Sequence, residues 1–175
     1  MWKKQRRRGI LLGLLFVPLA TYSAVMVEST FEAQPQMQIK EGKPQSCGLR
    51  VFTVQPTQAS GVFTGIDGSF LVDASAFGLV KGIVYTLKKT NIEANSRPVT
   101  QPLKLIWFRA PGKPATQPLG DKAFVSPETK GAKLYVTAPA SVFALFDAIL
   151  DSKPIQVGVS FKNGSQDRIY YGKVN

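Results

Sequence analysis

From Leu49 onward, apolar and polar positions alternate in short runs broken by Gly, Pro, Asn and Asp. Period-two runs of this length, rich in Val, Ile, Phe and Tyr, predict half-buried β-strands. They fall at residues 49–54, 62–64, 69–73, 80–87, 103–109, 133–137, 155–161 and 168–174. Asp67-Gly68 stands between two of them and predicts a hairpin turn, because such turns need positive φ. Pro98, Pro102 and Pro111 fence residues 103–109, which predicts a strand at a sheet edge or one isolated by long loops.

One segment departs from this period. Val142, Phe143, Leu145, Phe146, Ile149 and Leu150 recur at the three- and four-residue spacing of a helix face. Pro139 suits a first helical turn and Pro154 a stop, so an amphipathic helix is expected near residues 140–152. Asn163-Gly164 then separates the last two strands as a C-terminal β-hairpin.

Strands, one helix and a closing hairpin resemble the element order of an OB-fold over residues 100–175. The resemblance lies in element order alone, and no sequence motif accompanies it. The strands between Leu49 and Leu87 exceed what an OB-fold needs. The expected fold class is therefore mostly β with one helix, as a small OB-like barrel or as a β-sandwich.

The N-terminus follows a different pattern. Lys3, Lys4, Arg6, Arg7 and Arg8 precede an apolar run that begins at Ile10, breaks at Pro18 and ends in small or polar residues at Ala24. A basic start, an apolar middle and a small-residue end make residues 1–24 a secretory signal. The alternative is an uncleaved membrane anchor over residues 10–27. Both put the rest of the chain outside the cytoplasm, in the periplasm or secreted if the source is bacterial. Residues 25–46 are rich in Pro, Gln and charge and read as a linker, leaving residues 47–175 as one β-rich domain.

Composition narrows the chemistry. The 175 residues contain no His, so Ser-His-Asp and Cys-His catalysis and His-ligated zinc are excluded. The single cysteine, Cys47, excludes an intramolecular disulfide. It reads as a thiol packed at a strand start or as one half of an intermolecular disulfide. No phosphate-binding glycine loop, calcium loop or cofactor motif is present. The remaining enzyme candidates are the carboxylate pairs Asp147/Asp151 and Asp67/Asp73, for a His-free hydrolase. Solvated helix charges and a turn residue explain the same acids more simply.

Charge says more. The formal net charge is +11, and five of those charges sit in the signal. The rest concentrates in residues 81–133, which hold ten basic against three acidic residues, whereas residues 28–80 are mildly acidic. The candidate binding residues are accordingly Lys81, Lys88, Lys89, Lys104, Trp107, Arg109 and Lys113. In a cytoplasmic protein, basic and aromatic residues on a sheet would suggest single-stranded nucleic acid. Export disfavours that partner and favours other envelope proteins or an anionic envelope ligand. The sequence is thus read as a non-enzymatic envelope component acting by protein–protein contact. The alternative is a soluble periplasmic module that captures an anionic glycan, lipid or enzyme. No cofactor is expected.

Overall fold

The computed structural model describes residues 23–90, 98–126 and 130–175. Its elements are β1 (Val25–Glu28), β2 (Glu32–Lys40), β3 (Lys43–Pro56), β4 (Val62–Asp73), β5 (Gly78–Lys88), β6 (Val99–Gln101), β7 (Leu103–Arg109), β8 (Phe124–Val125), β9 (Lys133–Thr137), α1 (Pro139–Leu150), β10 (Ile155–Phe161) and β11 (Arg168–Gly172). They form two sheets. One has the strand order β1-β11-β10-β7, and the other β2-β3-β4-β5-β9-β8, with β6 also pairing β5. The protein is mostly β, with the expected helix preceding the expected C-terminal hairpin. The sheets are open and separate, so the arrangement is a sandwich and not a closed OB-like barrel.

Close packing between the sheets depends on two glycines. Gly68 and Gly82 are register partners on β4 and β5. A β-carbon on Gly68 would strike the Phe108 ring, and one on Gly82 would strike Ile106. Bare backbone at this spot lets both β7 side chains sink in until fully buried. Phe70 meets Phe108 edge-on, with ring centroids 5.2 Å apart, and also packs on Phe146 of α1. The helix buries Val142, Leu145 and Ala148 and leaves Phe143 and Leu150 outside.

The sandwich is laced on both sides. On one, Phe31 donates to the Lys173 carbonyl, and Asn175 donates to the Phe31 carbonyl at 2.8 Å. On the other, Thr116 Oγ1 accepts from the Phe108 amide, while the Leu119 amide donates to the Val136 carbonyl. Tyr135 adds a buried tie: its hydroxyl donates to the Ile106 carbonyl at 2.8 Å and meets Thr116 Oγ1 at 2.8 Å. Strand β7 ends the order of its sheet, as its flanking prolines predict.

Two expectations are overturned here. Residues 25–46 are not a linker: they form β1, β2 and the start of β3, paired to β11, β3 and β4. Strand β2 ends its sheet and most of it faces solvent, so its polar composition is that of an exposed edge. Pro35 is tolerated there for the same reason. Nor do Asp67 and Gly68 make a turn; they sit mid-strand in the twelve-residue β4. The tight β2–β3 turn instead uses Glu41 and Gly42, with φ of 52° and 74°.

Candidate binding face of the four-stranded sheet

Side chains alternate across a strand, so every second residue of β7, β10, β11 and β1 points away from the core. Register then sets two rows across this outer face. Trp107, Gly158, Ile169 and Met26 form one row, and Arg109, Gln156, Tyr171 and Glu28 form the next. The rows are about 14 Å wide at ordinary strand spacing.

Gly158 makes the face possible, because the Trp107 indole occupies the space where a β-carbon would stand. Arg109 is held beside it. Its Nε donates to Gln156 Oε1 at 2.8 Å, and a terminal guanidinium nitrogen donates to the same oxygen. The guanidinium carbon lies 5.5 Å from the Trp107 ring centroid, a cation–π distance. Trp107 is half-buried on the outside of the sheet.

Lys113 joins this group through the turn after β7, in which its amide donates to the Ala110 carbonyl and Gly112 adopts a φ of 66°. Arg109, Lys113, Gln156 and Tyr171 line a shallow cleft of about 320 Å³ beside the face. Lys104 is exposed near the start of the same strand. The other predicted residues lie elsewhere. Lys81 is on the outer face of the larger sheet, and Lys88 and Lys89 are at and just beyond the end of β5. The seven candidates therefore form no single basic patch. Trp107, Arg109 and Lys113 lie together toward the end of β7, with Lys104 near its start, apart from the three lysines of the other sheet.

Cys47 is exposed within β3, flanked in register by Met37 and Val72, and is not packed in the core. Asp67 receives a two-pronged contact from Arg50, with Nε to Oδ1 at 2.8 Å. That contact raises the Arg50 pKa, while burial, with Asp67 nearby, raises that of Tyr85. Asp73 accepts from the Ser75 amide as a turn residue, and at six residues' remove it stands about 20 Å from Asp67. Asp147 is exposed, and Asp151 pairs with Lys153 at 2.8 Å. Asp67 and Asp73 stand too far apart for a hydrolytic pair, whereas Asp147 and Asp151 lie one turn apart at the exposed end of α1. Among the described residues, no group of three or more His, Cys, Asp or Glu is placed to hold a metal.

No protein-family model, curated protein or solved structure matches this chain. Two cationic features escaped the sequence reading. Arg168 lines a cleft between the sheets, donating to the Tyr170 hydroxyl and lying over Phe161. Lys130, Lys133 and Lys162 surround a second cleft. Lys162 lies far from the other two in sequence, and no local pattern announces that folding brings them together.

Proposed function

We propose that this chain is an exported, non-catalytic component of the bacterial envelope that docks a protein partner on the outer face of its four-stranded sheet. The observation that carries the reading is the stack of Trp107, Arg109 and Gln156 on bare Gly158 backbone. Trp, Arg and Tyr supply most hot spots of protein interfaces, and they do so best when held in place before binding. Here the indole and the guanidinium are both fixed, Tyr171 stands beside them, and Met26 extends the row as an apolar residue 52% exposed.

Export is supported by the basic start and apolar run of residues 1–24. Cleavage after Ala24 would leave every strand whole, because β1 begins at Val25. An anchor reaching Val27 conflicts with the pairing of Val25, Met26 and Val27 to Arg168, Ile169 and Tyr170. The 15 residues from Ile10 to Ala24 fall short of the roughly 20 that cross a bilayer, which favours cleavage. Among the described residues, no helix is long and apolar enough to cross a membrane.

Cross-linked affinity purification from the envelope tests the reading, with the intact mass of the bait measured alongside. The wild-type chain should retain a defined protein partner, and the Trp107→Ala variant should lose it while remaining folded. Equal retention by both would refute docking through this face. A bait mass that still includes residues 1–24 would refute cleavage.

A further inference from the structure

The lysine cleft lies where β6, the start of β7, β8 and the start of β9 come together, and it encloses about 430 Å³. That is within the usual range for a small-molecule site. Its cations are Lys130, Lys133 and Lys162, and no carboxylate is among the described residues that line it. None of the three belongs to an ion pair among the described residues. Like charges gathered with no counter-charge among the described residues beside them repel one another, and the arrangement gains stability when an anion enters.

The cleft is held by backbone and packing. Lys133 Nζ stands 4.3 Å over the Phe124 ring, which faces Tyr135 in turn. Burial lowers the Lys133 pKa, and the charge of Lys162 lowers it further. The Lys162 amide donates to the Pro102 carbonyl at 2.9 Å, fixing that wall. Gly131 sits against Thr100 at a φ of 84°, a conformation and a closeness that other residues would not accept without strain. The turn carrying Lys130 toward Lys133 is therefore seated on β6. Buried Leu103, with Phe124 and Val125, gives the cleft an apolar wall.

We propose that this cleft binds a phosphate-bearing ligand with a short apolar body, its phosphate among Lys130, Lys133 and Lys162 and its apolar part against Phe124 and Leu103. Lysines act as separate point charges and suit a multiply charged phosphate, whereas paired recognition of a carboxylate favours the arginine fork. The site is independent of the docking face, so either can fail alone.

The test is calorimetric titration of the chain, as purified from the envelope, with hexyl phosphate, hexanoate and hexanol. Vesicles of phosphatidylglycerol or phosphatidylcholine form a second arm. Hexyl phosphate should bind one to one, more tightly than hexanoate by about tenfold, and lose affinity with added salt. Lys133→Gln with Lys162→Gln should weaken it by about tenfold or more, while Trp107→Ala leaves it unchanged. Lysine-dependent binding to phosphatidylglycerol vesicles without binding of hexyl phosphate would assign the phosphate to a lipid headgroup. Binding of hexyl phosphate alone would assign a soluble ester. Failure of both, or binding indifferent to the two substitutions, would overturn the proposal. If the double variant does not fold, NMR of reductively methylated wild-type lysines decides. Hexyl phosphate should then shift the Lys133 and Lys162 signals and leave that of Lys81 in place; the reverse pattern overturns the site.

Discussion

The indole of Trp107 rests directly on the backbone of Gly158, its cross-strand partner, and fills the volume a β-carbon would need. A methyl group at position 158 must push the ring away from the sheet. Gly158→Ala should cost about 1–3 kcal/mol as an overpacked contact. In the chain cleaved after Ala24, where Trp107 is the remaining tryptophan, its fluorescence should move toward that of a solvated indole. Denaturant melts and emission spectra check both.

Gln156 restrains Arg109 through a single oxygen that accepts both guanidinium contacts. Gln156→Ala should leave the guanidinium free to rotate. Because the pair lies on the surface, stability should change by less than about 1 kcal/mol, while partner binding weakens. A melt and a pull-down performed together separate the two effects.

Tyr135 is fully buried, with its hydroxyl bonded to the Ile106 carbonyl and to Thr116. Tyr135→Phe leaves the Ile106 carbonyl without its donor and should cost about 1–3 kcal/mol. Burial raises the Tyr135 pKa above its ordinary value. The unfolded phenol therefore ionises first, and stability from this group is lost as pH climbs past about 10. The stability gap between wild type and Tyr135→Phe should be constant below that pH and shrink above it. Tyr85 shifts in the same direction, but it is present in both proteins and cancels.

Gly82→Ala should be at least as damaging as Gly158→Ala, because Ile106 is fully buried and has less freedom to move aside. The expected cost is about 1–3 kcal/mol or more. Gly82→Ala with Ile106→Val should recover part of it, a coupling that a double-mutant cycle measures.

What the sequence revealed follows from how local each signal is. Strands β7 and β9 and helix α1 were legible because period and proline punctuation lie within the segment itself. Asp67-Gly68 misled because a glycine that admits Phe108 from the opposite sheet looks, locally, the same as a turn glycine. Strand β2 was hidden because its exposed edge carries glutamines where a buried strand carries valines. The Trp107–Arg109 pair was legible as two residues on one strand face. Its partners Gly158 and Gln156 lie one sheet pairing and some fifty positions away, and the lysine cleft depends on the same kind of distant register.

Photo-crosslinking in intact cells tests the central claim most directly, with a photoreactive residue placed either at Met26 on the docking face or at Val54 on the larger sheet. Both positions are open to solvent, at 52% and 46% exposure. The probe at position 26 should trap one envelope protein, and Trp107→Ala should abolish that product, while the probe at 54 traps nothing comparable. A product formed from position 54 and not from 26, or one from 26 that survives Trp107→Ala, would contradict docking through the four-stranded sheet.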